Sequence, residues 1–401
     1  MVLSAEELLF TLLNRARPPD AVETVPLDGA LGRVLGKGVV SRVTVPPRDN
    51  SSMDGYAVSV AEIKLGQPVP ISQRIAAGQM GEVLQPGTSA RIFTGAPIPP
   101  GADAIIIQED AIVEGAHVRF SGVPSVGQNI RRAGEDLAEG DEVLPPGTRL
   151  NAAEMGLAAS AGWEAVTVFR RLKVAIFSTG DELADPGTPL KPGQIFNSNR
   201  YTMLGMLQGL DAERRDFGTV PDTLDATEKT LRQAADWADV VITSGGVSVG
   251  QEDHVKAALE KLGELEMWKV AIKPGKPVVY GRVGKADFIG LPGNPVSAFV
   301  VFCLFARPFL LKRMGLTQVL YRGFPIKAAF DRGRPGDRRE FLRGLMVPDG
   351  RGGAEVRLYP NQGSGVLTSV TWGDGLVDIP IGQTVRRGEW VRFIPFSEVL
   401  G

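Results

Sequence analysis

Three glycine-containing loops carry residue types suited to an anion. They are 178–182 (S-T-G-D-E), 244–253 (S-G-G-V-S-V-G-Q-E-D) and 292–295 (P-G-N-P). Glycine lets backbone N–H groups approach a ligand closely, and consecutive N–H groups form a nest for an anion. Ser178, Thr179, Gly180, Ser244, Gly245, Gly246, Ser248, Gly250, Pro292, Gly293, Asn294 and Pro295 are therefore candidate phosphate-binding positions. Asn294 can cap a helix that starts at Pro295, where no N–H is needed, and such a helix N-terminus favours a phosphate. Any one of these loops could be a simple turn. Three of them behind three strands point to a ligand.

A second cluster is cationic. The segment W-K-V-A-I-K-P-G-K-P places Lys269, Lys273 and Lys276 within eight residues. If the segment is extended, Lys269 and Lys273 share a face by the period of two. Three cations on a stiff strand and turn suit an oligophosphate or an oxyanion; the plainer alternative is an exposed strand with solubilising lysines. Carboxylates complete the set. Asp181, Glu182 and Asp253 lie in the glycine loops, and Asp54 lies far upstream in D-N-S-S-M-D-G-Y-A. Two or more of them converging would hold a hard cation such as Mg²⁺. Asp54 can join only if domains or subunits meet. Taken alone, Asp54-Gly55 and Thr94-Gly95-Ala96-Pro97 both read as turns.

The elements that must position these residues are legible in outline. Apolar strands are expected at 172–177, 239–243, 278–280 and 287–291, with helices at 199–210, 223–237, 253–262 and 294–310. That alternation predicts an α/β domain with a mostly parallel sheet covered on both faces. In such sheets ligands bind beyond the carboxyl ends of the strands, where all three loops fall. Short apolar runs between Gly and Pro over 71–143 predict a β-rich domain, and short strands from about residue 318 predict a C-terminal β domain. Ser4 with Glu7 forms a capping box for a first helix ending before Pro18, and 151–162 reads as a further helix with a Gly stop.

Composition narrows the function class. A chain of 401 residues implies two to four domains. The net charge of −2 makes no electrostatic case for nucleic acid. From Lys312 to Arg343 nine Lys or Arg face three Asp or Glu, which is expected to be a solvated face. The single cysteine, Cys303, sits in an apolar run and should be a buried, inert thiol. His117 and His254 are far apart, so a Cys/His zinc site and a Cys/His catalytic pair are excluded. No stretch reaches the roughly 18 uncharged apolar residues of a membrane span, and the N-terminus has no signal-peptide core, so a cytoplasmic protein is expected.

Seven motifs in order give the chain a family resemblance: PPRDNSSMDGYAV (46–58), RIFTGAPIPPGADAII (91–106), NIRRAGED (129–136), STGDEL (178–183), SGGVSVGQEDH (starting at Gly245's neighbour Ser244), KVAIKPGKP (269–277) and LPGNPVSA (291–298). Together they resemble the molybdopterin molybdenumtransferase family, which includes MoeA and the E domains of gephyrin and of the plant cofactor-insertion protein. The resemblance implies an elongated multidomain chain: a helical stalk (1–43 and 139–168), a β-rich domain (44–138), an α/β domain resembling the molybdopterin adenylyltransferases (169–317) and a C-terminal β-barrel-like domain (318–401). It implies a homodimer whose site lies between subunits, and an adenylyltransferase as upstream partner. The implied reaction takes adenylated molybdopterin and molybdate (or tungstate) with Mg²⁺, releases AMP, and transfers the metal to the dithiolene. Residues carried over by matching motifs are Asp54, Thr94, Glu182, Asp253, Lys269 and Lys273 as catalytic. Lys276, Arg343 and Ser364 are carried over as binding residues, and Glu182, Asp253, Asp136 and Asp222 as metal ligands. The alternatives are an adenylyltransferase-like enzyme, whose loop is usually TGGTG where this chain has SGGVSVG, and a gephyrin-type scaffold protein.

Overall fold

The computed structural model describes residues 2–246 and 254–400. Its central sheet has seven strands in the order Val2–Leu3, Gly263–Val270, Pro277–Val283, Ala286–Leu291, Val240–Ser244, Lys173–Thr179 and Glu213–Val220. The last four run parallel to one another, and Pro277–Val283 is antiparallel to both its neighbours. The period of two splits each central strand between two cores. Val174, Ile176, Val240 and Ile242 enter one core with Leu8, Phe302 and Phe309, whereas Ala175, Phe177 and Val241 enter the other with Leu231, Leu259 and Phe288. Both faces are thereby covered, so polar chemistry is confined to the strand ends.

Two strands lie outside the apolar runs of the sequence. Glu213–Val220 (ERRDFGTV) is an edge strand, and charge there blocks further pairing. Gly263–Val270 (GELEMWKV) is half exposed, with Leu265 and Met267 packed on one core and Trp268 on the other. The N-terminal segment also moves. Val2–Leu3 pairs with Lys269 and Val270, and the helix Ala5–Arg15, started by the expected Ser4 and Glu7 capping box, buries Leu8 and Leu12 in the α/β core. Residues 2–16 therefore pack with the α/β body and not with the stalk to which the resemblance assigned them.

The stalk is a two-way ribbon. The chain leaves through Val22–Pro26, Val39–Val40 and Asn50–Ser51 and returns through Ile130–Arg131, Glu142–Leu144 and Ala165–Phe169, each pair antiparallel. Helix Ala152–Ser160, capped by Asn151 and Glu154, packs on it through Ala158. Beyond the ribbon lies a six-stranded sheet ordered Ala104–Ile107, Gly55–Val58, Ser89–Ile92, Val69–Ile75, His117–Phe120 and Ala111–Glu114.

At the C-terminus, Arg339–Pro348, Ala354–Leu358, Phe324–Ala328, Trp390–Pro395 and Gly375–Ile379 close into a barrel when the last strand pairs back to the first. The short strand Ile272–Lys273 leaves the central sheet and adds in parallel to Arg339–Pro348, with Ile272 opposite Arg339 and Lys273 opposite Glu340. The basic segment 312–343 is not a solvated face. Arg313 Nε lies 3.0 Å from Asp287, Arg339 donates twice to Asp378 at 2.7 Å, Arg332 meets Glu340, and Arg343 is fully buried.

One long helical run, 295–313, is apolar and long enough to cross a membrane by length and composition, but most of it is buried in the core. Cys303 lies within it, and burial pushes its thiol up to about 12, so it stays protonated and inert. This run also braces the lysine turn. Gly275 has φ +105°, and a Cβ there would lie 2.5 Å from Val301 Cγ2. Gly275→Ala is expected to destabilise the fold by about 1–3 kcal/mol, read as a lower urea midpoint at unchanged slope.

Candidate functional site

The carboxyl ends of Lys173–Thr179, Val240–Ser244 and Ala286–Leu291 open onto a cavity of about 910 Å³. Thr179, Gly180 and Glu182 line it from the first loop, Gly245 and Gly246 from the second, and Pro292, Gly293 and Asn294 from the third. Lys273 and Lys276 face it from the lysine turn, Asp222 from the loop after the edge strand, and Ser364 from the barrel. Ser248, Gly250 and Asp253 lie outside the described residues.

Local contacts set this geometry. Gly245 has φ +88°, and a Cβ there would fall 2.8 Å from the Thr179 carbonyl oxygen, so the second loop can close on the first only with glycine. The Asp222 N–H donates to Asp181 Oδ1 at 3.2 Å, which ties the Asp222 loop to 178–182. Asn199 Nδ2 donates to the Gly293 carbonyl at 2.8 Å, and the Val296 N–H donates to the Ser364 carbonyl at 2.9 Å. That last bond fastens the barrel to the start of helix Pro295–Val301. Asn294 occupies the N-cap position but makes no side-chain capping bond. It lines the cavity instead of serving as the expected cap, while Pro295 begins the helix behind it.

Several expected site residues are placed elsewhere. Ser178 and Ser244 are buried behind the cavity, their hydroxyl oxygens 3.3 Å apart across two adjacent parallel strands. They join the two strand ends and do not line the cavity. Lys269 is exposed and does not line the cavity, because the chain changes sheets between Val270 and Ile272 and breaks the alternation that would align it with Lys273. Arg343 is fully buried within the barrel. Its Nε donates to Ser369 Oγ at 2.9 Å and its Nη2 to the Gly363 carbonyl at 3.2 Å. Its backbone N–H and carbonyl are both bonded by the Gln362 side chain, at 2.9 and 3.0 Å. Burial pushes this guanidinium down to about 10. Arg343 therefore braces the loop 361–364, of which Gln362, Gly363 and Ser364 line the cavity.

Asp54 and Thr94 belong to the part of the chain beyond the ribbon and Asp136 to the ribbon itself, where its N–H donates to the Val45 carbonyl at 3.1 Å, and none of them lines this cavity. Asp54 and Thr94 nevertheless form one unit. The Thr94 N–H and hydroxyl both donate to Asp54 Oδ1 at 2.8 Å, and these bonds, the backbone one foremost, hold the Asp54 carboxyl below its ordinary value. Asp136 is exposed in the loop after Ile130–Arg131.

Two of the four expected metal ligands face this cavity, and Asp253 lies outside the described residues. Glu182 and Asp222 share the cavity, and among the described residues no three Asp, Glu, His or Cys side chains gather. Two carboxylates with ligand oxygens and water nonetheless suit Mg²⁺, which seldom uses an all-protein cage. The cavity also holds residues that the sequence reading did not single out: Gly275, Ser297, Arg338, Gln362 and Gly363. Arg338 is the most consequential, since with Lys273 and Lys276 it sets three cations against two carboxylates. Its only sequence signal was its place in the basic segment 312–343.

Comparisons agree with this architecture. The chain matches the MoeA N-terminal region (domains I and II) over residues 3–162, a probable molybdopterin binding domain over 175–312, and the MoeA C-terminal region (domain IV) over 325–396. A molybdopterin molybdenumtransferase of Haemophilus influenzae is 38% identical over 100% of both chains. One from Nostoc is 35% identical over 96% of this chain and 90% of its own. A molybdopterin biosynthesis moeA protein of Pyrococcus horikoshii superposes with a TM-score of 0.84 at 28% identity, covering 98% of this chain and 100% of its own.

Two outcomes follow from the contacts. In Thr94→Val the Asp54 carboxyl should titrate higher than in the parent yet stay below the ordinary value, because the backbone donor remains; carboxyl-carbon NMR reads this. The sign is that of a depressed carboxylate: its stabilisation is present above the unfolded pKa and lost as pH falls through the folded one, a loss that begins at higher pH in the variant. Arg343→Met should leave the Gly363 carbonyl and the Ser369 hydroxyl short of a donor, lowering stability by about 1–3 kcal/mol in thermal or denaturant unfolding.

Proposed function

This chain belongs to the molybdopterin molybdenumtransferase family and is a transferase of molybdenum cofactor biosynthesis, and from that premise we propose that its cavity takes adenylated molybdopterin and molybdate, releases AMP, and passes the metal to the dithiolene sulfurs. The observation that carries this reading is the meeting of Lys273, Lys276 and Arg338 with Glu182 and Asp222 in one cavity at the strand ends.

Charge assigns the roles. Lys276 and Arg338, with Lys273, neutralise the phosphate or the oxyanion, and charge-assisted hydrogen bonds make such contacts the strong ones. The glycine loops bring backbone N–H groups to the phosphate, and the helix begun at Pro295 adds the positive end of its dipole. Glu182 and Asp222 would hold Mg²⁺, with Asp253 as a further ligand by family resemblance; when bound it would shield the phosphate as water displaces AMP. Asp253 and Glu182 also suit the orientation of that water. Tungstate would be accepted at the same place, because it matches molybdate closely in size and charge.

Asp54, Thr94 and Asp136 are absent from the cavity of their own chain, and the Asp54 carboxylate is already held ionised by Thr94. We assign them to the cavity of a second copy, in a cytoplasmic homodimer supplied with substrate by an adenylyltransferase. Lys269 and Arg343 contribute through the lysine turn and the 361–364 loop respectively.

AMP release from adenylated molybdopterin, with Mg²⁺ and with molybdate or tungstate in parallel, tests the reading. Lys276→Ala should lower the rate by about 10²–10³ while leaving the fold intact. Asp253→Ala should fold normally and release no AMP. Normal turnover by both variants would remove the assignment, and consumption of ATP by the parent protein would mark an adenylyltransferase instead.

A further inference from the structure

The barrel also places a buried carboxylate directly behind the cavity wall. On the reading of the cavity as an oxyanion site, we propose that Glu340 is a positioning residue for Lys273, dividing its charge between Lys273 and Arg332 and so setting how far the Lys273 ammonium is offered to a bound oxyanion.

Three observations carry this. The Glu340 carboxylate is 4% exposed, while the Lys273 side chain, 51% exposed, brings its Nζ to 3.3 Å from Oε1. A carboxylate so buried must be balanced by nearby positive charge. Arg332 supplies part of it, its Nη2 meeting Oε2 as an ion pair. The backbone fixes the remaining geometry. Lys273 is registered opposite Glu340, and the Arg339 N–H donates to the Ala271 carbonyl at 2.9 Å. Arg332 is anchored within the barrel by reciprocal backbone bonds with Val385, at 2.6 and 3.0 Å.

Arg332 is thus the fixed partner of Glu340 and Lys273 the movable one. A bound oxyanion competes with Glu340 for Lys273. Weakening Glu340 frees Lys273 to bind the anion more tightly but less well aimed. Removing Arg332 has the opposite effect, because Glu340 then holds Lys273 alone.

The test uses the full chain, with molybdate binding followed by calorimetry and AMP release followed at steady state. Glu340→Gln should bind molybdate about three- to tenfold more tightly and turn over more slowly, lowering KM and kcat together, and Glu340→Asp should restore part of the parent behaviour. Arg332→Gln should bind molybdate about three- to tenfold more weakly, and that loss should vanish in a Lys273→Met background. Opposite signs from two residues of one cluster are not what general loosening produces. The proposal fails if both variants shift the affinity the same way, or if the effect of Arg332→Gln persists without Lys273. The second comparison decides the matter even if Glu340→Gln does not fold. A parent protein that binds no molybdate, or binds it equally well as Lys276→Ala, overturns the cavity reading itself instead.

Discussion

The pairing of two residues, Ile272 and Lys273, with Arg339 and Glu340 of the barrel is the constraint on which the cavity depends. It works beside the core that Phe341, Leu376 and Ile394 of the barrel share with Phe299 and Phe302, and beside the Val296–Ser364 bond. The pairing turns the lysine segment into a shared wall. Its other bonds run to each neighbour in turn: the Val270 N–H to the Lys276 carbonyl at 2.8 Å, and the Ala271 N–H to the Leu3 carbonyl at 2.9 Å. One short segment thus gathers the N-terminus, the central sheet and the barrel around the same turn.

The covered sheet explains why the chemistry lies where it does. Strands buried on both faces have no room for charge along their length, since an unpaired buried charge is costly. Among the described residues, buried charge sits in pairs such as Arg339 with Asp378 and Arg313 with Asp287, or donates hydrogen bonds within the barrel as Arg343 does. At the strand ends the loops are free to be polar, and glycine lets their backbones come close. Cations from the lysine turn and from the barrel then meet carboxylates from the first loop and from the Asp222 loop, a composition matched to a phosphorylated ligand and an oxyanion.

The ribbon separates the cavity from the Asp54–Thr94 pair of the same chain. Asp54 and Thr94 lie at its far side, where two bonds from Thr94 join two turns forty residues apart and hold the carboxyl below its ordinary value. An out-and-back ribbon of paired strands resists bending better than a single linker. On the proposed homodimer, that stiffness would hold the pair in place for the second copy's cavity.

Local pattern determined much by itself. The buried strands after residue 172, the capping box at Ser4, the helix after Asn151, the three glycine loops and the inert Cys303 could all be read from periodicity and residue type, because each depends on neighbours close in sequence. Only the tertiary structure decided what depends on distant partners. The polar edge strand Glu213–Val220 is made a strand by its neighbour and not by its own residues. Lys269 lost its place beside Lys273 when the chain crossed from one sheet to the other. Ser178 and Ser244 turned to each other behind the cavity, and Arg343 went into the barrel to hold the 361–364 loop. Arg338 entered the site because a barrel strand, far along the chain, came to lie against the lysine turn. Spacing tells which residues share a face of one element; it does not tell which face of another element will meet it.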